Sequence, residues 1–434
     1  MSDLPPGWVS TTVGEVATLT DGPFGSNLKT AHYVDAGPRV IRLQNIGNGV
    51  FRDEEAHITD QHFESLRKHE VVPGDVVAAS LGEDAPRACL VPPWLGPALV
   101  KADCIRIRAA PDVEPGYIMW MLNSPPVRRQ AASSIKGVGR PRLGLGGIRQ
   151  LSLPVPPLNE QRRIVAAIEE QLSRLDAADA SLTDASRRAS ALRNSTLHEA
   201  INGAVERPLG DFASIFVGAT PSRRRPELWG GGVPWVSSGE VAFSRISKTR
   251  ETITPDAIGL GDRLHPPGTV LLGMIGEGKT RGQAAILDVA AAHNQNSAAI
   301  RLDPDTCTPE WLYYVLMARY EVTRRAGSGG QQPALNRSRV AGLAVPVPPL
   351  EEQRRIVARV EEQLSAVDAL RAAIERAQRR SATLRRAVLE RAFKGKLVPQ
   401  DPLDEPAEAL LTRIRAERDA TDKDNRHPRR RMRG

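Results

Sequence analysis

The stretch Gly273-Met-Ile-Gly-Glu-Gly-Lys-Thr280 fits the pattern G-x-x-x-x-G-K-[ST] letter for letter, and it follows an apolar run, Thr269-Val-Leu-Leu272. In a nucleotide-binding loop of this kind the glycines let backbone N–H groups surround phosphates. The lysine reaches the outer phosphates and the hydroxyl holds magnesium. The loop must also open a helix of ten or more residues, because the helix N-terminus binds the phosphate. Here the continuation RGQAAILDV reads as a short strand, and no later apolar run in the same region ends in a magnesium-binding Asp. The expectation is a strand–turn–strand, not a nucleotide site.

Other chemistries also lack their partners. Asn123-Ser-Pro-Pro126 approximates the Asn/Asp-Pro-Pro-aromatic motif that holds a target base in amino-methyltransferases, but a Ser intervenes and the aromatic is missing. No G-x-G run follows a first strand to hold S-adenosylmethionine. Pro304-Asp305 has no Glu-x-Lys nuclease partner, and the eight histidines form no H-x-x-x-H or H-E-x-x-H pair. Cys89, Cys104 and Cys307 are too few and too scattered for zinc or a disulfide framework, and are expected as reduced, mostly buried thiols. The sequence offers no catalytic constellation and no metal site.

The elements that would position any site come in duplicate. Pro154 opens PVPPLNEQRRIVAAIEEQLSRLD and Pro346 opens PVPPLEEQRRIVARVEEQLSAVD; 18 of these 23 paired positions are identical, at a constant offset of 192. A period this long marks a duplicated domain, not a solenoid. Both copies continue with apolar residues at helical spacing: Ile164, Ile168, Leu172, Leu175, Leu182 and Leu192 in the first, Ile356, Val360, Leu364, Val367, Ile374, Leu384 and Val388 in the second. Paired prolines stop each helix extending backward, and Gly203 and Gly395 stand at matched positions as stops. The spacing predicts two helices of about 40 residues, packed as an antiparallel coiled-coil pair.

Weaker matches precede each helix. Val13-Gly-Glu-Val16 answers Leu209-Gly-Asp-Phe212, Val40-Ile-Arg-Leu43 answers Val233-Pro-Trp-Val236, and Val72-Pro-Gly-Asp-Val-Val77 answers Pro266-Pro-Gly-Thr-Val-Leu271. Short β-branched runs punctuated by Gly and Pro indicate strands and turns, with an amphipathic helix at Tyr117–Leu122 and again at Trp311–Ala318. The fold class is therefore α+β: two similar mixed domains in tandem, separated by two long helices, with a pseudo-two-fold relation. The expected boundaries are 1–152 and 206–344 for the domains, 153–205 and 345–403 for the helices, and 404–434 for a C-terminal segment. Its tail from Thr421 is expected to be disordered. The repeat also answers the opening question. At an offset of 194 Gly276 falls on Gly82 and Arg281 on Arg87, while Lys279 and Thr280 fall on Ala85 and Pro86, which serve neither nucleotide role.

The chain of 434 residues is 41% hydrophobic and 25% charged, the profile of a soluble globular protein without a bilayer-spanning run or signal peptide, which reads as cytoplasmic. Its net charge is +8, and only nine of its 59 Lys and Arg residues are lysine. The balance suggests a polyanionic partner, with arginine suited to bidentate contacts with guanine and phosphate.

The twice-occurring P-x-P-P-L-x-E-Q-R-R-I-V, followed by E-E-Q-L at the start of a long helix, resembles the conserved regions of Type I restriction–modification specificity subunits. So do Phe393-Lys-Gly-Lys-Leu-Val-Pro-Gln400 and the segment Glu405 to Arg418. The resemblance covers essentially the whole chain. It implies a protein without catalysis or cofactors of its own, binding a bipartite, asymmetric double-stranded DNA sequence with one half per recognition domain. Two modification (methyltransferase) subunits carrying S-adenosylmethionine and adenine-N6 methylation would dock on it, and restriction/translocase subunits using ATP and magnesium would join them. The other readings are a nucleotide-binding enzyme using Lys279, a self-sufficient DNA methyltransferase, and a coiled-coil scaffold; the last gives no reason for two divergent domains on one frame.

Polar loops between strands supply the candidate DNA contacts. In the first domain these are Arg42, Gln44 and Asn45, then Lys136, Arg140 and Arg142. In the second they are Ser237, Ser238 and Glu240, then Lys279 and Arg281, then Gln331, Gln332 and Asn336. Leu143 is paired with Leu335 by the repeat, and the run Arg223-Arg-Arg225 is a further candidate for phosphate.

Overall fold

In the computed structural model the described residues are 4–23, 27–82, 84–135, 141–257, 263–276, 279–325 and 334–426. They form two compact units, Met1–Ser181 with Ala377–Gly434, and Leu182–Arg376. Each unit holds one α+β domain and a part of each long helix.

In the first unit an antiparallel sheet runs in the order Ala17–Asp21, Cys104–Ala109, Val76–Ala79, Arg87–Leu90. A second sheet orders His57–Ile58, Tyr33–Ile41, Ala98–Val100 and Glu70–Val71, with Tyr33–Ile41 parallel to Ala98–Val100. The second unit repeats this plan. Ala213–Val217, Ser297–Leu302, Val270–Gly273 and Ala284–Leu287 are antiparallel neighbours, and Ser244–Ile246 adds a parallel edge. Trp229–Val236 again lies parallel to a short strand, Ala292–His293.

These registers correct two sequence pairings. Ile41 faces Val100 as Val236 faces His293, so Ile41 answers Val236, two residues away from the sequence match. Beyond Gly82 and Gly276 the second unit carries two extra residues: Val76 pairs with Leu90 and Val270 with Ile286. Arg87 therefore answers Gln283, not Arg281. Short loops of unlike composition carry no periodic signal that would reveal such insertions.

The helices Pro115–Leu122 and Pro309–Ala318 stand where expected, but the first is buried from Gly116 through Leu122. A Cβ at Gly116 would stand 3.1 Å from Val165 Cγ1 of the long helix. Wedged between sheet and long helix, it has no wet side, so it is apolar all round and not amphipathic.

The long helices are Leu158–Ala200 and Leu350–Ala392, 43 residues each, and Gly203 and Gly395 follow them with φ of 92° and 64°. In the first unit Ile164, Ile168 and Leu172 share a core with Val388, Leu389 and Ala392; Arg385 reaches Asp176 and Asp179, both at 2.7 Å. In the second, Leu197, Ala200 and Ile201 share a core with Ile356, Val360 and Leu364, and Arg193 lies 3.3 Å from Asp368. Within each unit the two segments run antiparallel. Leu192 and Leu384, expected in the apolar stripes, are 53% and 43% exposed, because a stripe at strict helical spacing drifts off the seam.

Each helix start is fixed by a buried glutamine. Gln161 donates to Pro156 O at 2.9 Å and accepts from Glu114 N at 3.0 Å. Gln353 donates to Pro348 O at 2.8 Å and Thr306 O at 2.9 Å, and accepts from Thr308 N at 2.9 Å. Tyr117 Oη and Trp311 Nε1 then donate to Pro154 O and Pro346 O, each at 2.7 Å. This is why the Pro-Pro-Leu-x-Glu-Gln run is repeated almost unchanged.

The C-terminal helix, Ala407–Arg426, corrects the expected disorder from Thr421; residues 427–434 lie outside the described residues. It buries Ala407, Leu410, Leu411 and Ile414 in the first unit's core. Arg418 donates to Gly14 O and Ala17 O, and Arg163 pairs with Asp404 at 2.7 Å.

Candidate nucleic-acid interface

In the first unit a cleft of about 750 Å³ opens beside the parallel strand pair, lined by Thr30, Tyr33, Arg42, Leu43, Gln44, Leu81, Lys101, Ala102, Asp103 and Arg142. A short helical turn, Leu43–Asn45, carries Arg42 and Gln44 to its rim. Arg42 Nη2 donates to Glu55 O at 2.9 Å. With the Gln44 amide assigned so that its oxygen faces Arg42, that oxygen accepts from both terminal nitrogens at 3.1 Å. Lys101 Nζ stands 5.1 Å from the centre of the Tyr33 ring. Arg142 Nε lies 3.0 Å from Asp103 Oδ1. Three cations, one carboxylate and an amide thus converge on one open surface.

The second unit builds the same framework, hydrogen bond for hydrogen bond. Lys101 N donates to Ile41 O, and Asn294 N to Val236 O; Ser80 N donates to Asp103 O, and Met274 N to Asn296 O. Leu143 N donates to Ser80 O as Leu335 N does to Met274 O, so the pairing of Leu143 with Leu335 holds in the backbone. The helical turn recurs at Ser238–Glu240. In this register Arg42 answers Ser237, Gln44 answers Gly239, Lys101 answers Asn294, Asp103 answers Asn296 and Arg142 answers Ala334. Lys101, Asp103 and Tyr33 line the cleft, and Asn294, Gln295 and Asn296 form the matching stretch of the second unit; all six are absent from the sequence candidates. The available signal is the segment after the short strand, Lys101-Ala-Asp-Cys104, which overlies Asn294-Gln-Asn-Ser297 at an offset of 193.

The remaining candidates divide. Asn45 is 1% exposed: Oδ1 accepts from Arg42 N, and Nδ2 donates to Arg52 O and Glu54 O, so this amide shapes the turn and does not face the cleft. Glu240 is its counterpart, accepting from Ser237 N, Ser237 Oγ and Arg250 N. Ser237 and Ser238 therefore sit on the turn with Glu240 as its brace. A two-state polar residue at a turn gives no sequence sign of which way it points, which is why braces and rim residues were grouped together. Asn336 caps the helix Arg337–Ala341 by accepting from Arg339 N at 2.9 Å. Lys136, Arg140, Gln331 and Gln332 lie outside the described residues. In the arginine run, Arg223 is bidentate with Glu251 and lies 3.7 Å over the Trp229 ring, and Arg225 pairs with Glu227.

Lys279 is exposed, its carbonyl accepting from Tyr320 Oη at 2.7 Å, and Arg281 is half-buried on the same connection. That connection joins Val270–Gly273 to the antiparallel strand Ala284–Leu287, so no helix follows Thr280 and the phosphate-binding geometry is absent there. Asn123 is a brace as well, exchanging bonds with both backbone groups of Ala88. All three cysteines are buried and unpaired, with burial pushing the Cys89 and Cys307 thiols up to about 12. Among the described residues no cluster of three or more His, Cys, Asp or Glu is placed to hold a metal ion, and no helix is long and apolar enough to cross a membrane.

Two copies of one frame displaying unlike side chains fit a protein that recognises two different targets, and the comparisons supply the class. Residues 202–382 match the family model of the Type I restriction modification DNA specificity domain. The Type I restriction enzyme StySPI specificity subunit of Salmonella potsdam is 23% identical over 456 aligned positions, covering 96% of each chain. The EcoKI specificity subunit of Escherichia coli K12 is 23% identical, covering 96% of this chain and 97% of that one. A chain solved in work on complex assembly and conformational transition of the type I R-M system superposes with a TM-score of 0.74 at 24% identity, covering 91% of this chain and all of that one. The chain is a Type I restriction–modification specificity subunit, a DNA-recognition component of such a complex.

Proposed function

We propose that this subunit reads a bipartite, asymmetric DNA sequence, one half on each domain, and so directs adenine methylation and restriction by its partners. The observation that carries this is the repeated backbone framework, which displays Arg42, Gln44, Lys101, Asp103 and Arg142 in one copy and Ser237, Gly239, Asn294, Asn296 and Ala334 in the other. A frame kept this closely while its rim diverges is what reading two different half-sites requires. Because the two readers share one chain, the spacing of the half-sites is set by the protein. The partners in this reading are two modification subunits and restriction/translocase subunits. S-adenosylmethionine, ATP and magnesium belong to them, no cofactor belongs to this chain, and the site of action is the cytoplasm.

The experiment is a hydroxyl-radical footprint of the full chain, bound with its modification partner to a methylated genomic site. Two protected base tracts separated by an unprotected spacer are expected. One continuous tract, or protection independent of sequence, would contradict the reading.

A further inference from the structure

We propose that the two repeated frames read their half-sites by different chemistry: the first takes a guanine through Arg142, held in position by Asp103, and the second takes an adenine through Asn296. The inference rests on the two-half-site reading above and adds what each half contains.

Asp103 and Asn296 occupy the same place in the two frames, since Ser80 N and Met274 N donate to their carbonyls in the same way. The chemistry around them differs. Asp103 Oδ1 lies 3.0 Å from Arg142 Nε, so the carboxylate holds the guanidinium by one edge at the cleft wall. A phosphate approaching that guanidinium would also meet the Asp103 charge, and like charges at this range repel. A neutral base edge meets no such repulsion. Guanine, with O6 and N7 both acceptors, is the base that a guanidinium engages with two parallel bonds. Lys101, beside the Tyr33 ring on the same rim, is suited to the neighbouring phosphate.

The second unit carries no charged residue at the matching positions Ser237, Gly239, Asn294, Asn296 and Ala334. Asn294 is 7% exposed and braces the segment, its Oδ1 accepting from Asn296 N and Ser297 Oγ, both at 3.2 Å. Gln295 is bonded by Thr220 Oγ1. That leaves Asn296, half-buried on a fixed backbone, to present an amide that both donates and accepts. Adenine's N7 acceptor and N6 donor match that pair. Lys279 stands on the adjoining connection, and its charge would serve the backbone without selecting a base.

The test is selection from a randomised duplex pool by the full chain with its modification partner, sequenced for wild type, Arg142→Ala, Arg142→Lys, Asp103→Asn and Asn296→Ala. Arg142→Ala should cut the preference for one guanine about tenfold or more and leave the other half-site intact. Arg142→Lys keeps the charge and the fold but loses the fork, and should still relax the same guanine. Asp103→Asn, as a positioning change, should weaken that guanine and no other position. Asn296→Ala should relax one adenine in the other half. Uniform loss of affinity with the motif unchanged in the Arg142 variants, or relaxation of a base other than guanine, would overturn the assignment. If Arg142 and Asn296 variants alter the same half-site, or wild type selects no split motif, the two-half-site reading itself fails.

Discussion

Val71 and Val100 of the first unit and His265 and His293 of the second occupy the same two places in the repeated sheet. Val71 faces Ala98 as His265 bridges Ala291, and Val100 flanks Ile41 as His293 flanks Val236. All four are at most 2% exposed. In the second unit the rings stand 5.0 Å apart; Arg301 Nε donates to His265 Nδ1 at 3.1 Å, and His293 Nδ1 lies 3.0 Å from Ser297 Oγ. The bond from Arg301 requires a neutral His265. Burial lowers both rings, to about 3 for His265, with His293 and Arg301 adding to the effect, and to about 4 for His293. One backbone thus accepts an apolar core or a hydrogen-bonded polar one, but the polar version brings a dependence on pH.

Breaking that contrast has the largest expected effect. Exposed in the unfolded chain, each ring takes up a proton near pH 6.5; buried, it does so only near pH 3–4. Below pH 6.5 the unfolded chain therefore binds more protons, and stability falls as the pH drops through that window. The second unit should lose on the order of several kcal/mol between pH 6.5 and 4, read by hydrogen exchange resolved to each unit. The double change His265→Val with His293→Val should flatten the profile toward that of the first unit; His69, also lowered by burial, leaves that unit a smaller slope.

The shared glutamines give the next effect. Gln161→Ala and Gln353→Ala each leave buried backbone groups unpaired, at about 3 kcal/mol. Denaturant unfolding should show the Gln353→Ala loss larger by about 1 kcal/mol, because Gln353 also donates to Thr306 O, a bond that Gln161 lacks. A smaller change separates the units again. Asp404→Asn removes the charge of the pair with Arg163 that ties the C-terminal segment to the first unit, for about 1 kcal/mol. Arg163 holds the Asp404 carboxyl below its ordinary range; the contribution is therefore present above the unfolded carboxyl's range and lost as the pH falls through the folded one. Last, Lys279→Ala should leave nucleotide affinity absent, as in the parent chain, measured by calorimetry with ATP and magnesium.

The frame was legible because it is written twice. The offset of 192, the stop glycines and the proline pairs give the long helices to within a few residues, and the strand-like continuation RGQAAILDV disqualifies Lys279 as a nucleotide-phosphate ligand. The cleft was only half legible. Arg42, Gln44 and Arg142 stand in it, but Asn45 and Glu240, of similar polarity in similar loops, turn inward as braces. Side-chain direction at a turn is decided by hydrogen bonds to residues three to ten positions away, which no periodicity records. Lys101 and Asn296 were passed over for a related reason: each follows a short strand that is recognisable only once its parallel partner is known.

The most direct measurement is genome-wide N6-methyladenine mapping by long-read sequencing, in the host with and without this gene. Loss of methylation at one split, asymmetric motif on deletion is the predicted result, and it reads out both half-sites at once. A map that keeps every motif after deletion would contradict the central claim that this chain chooses where the complex acts.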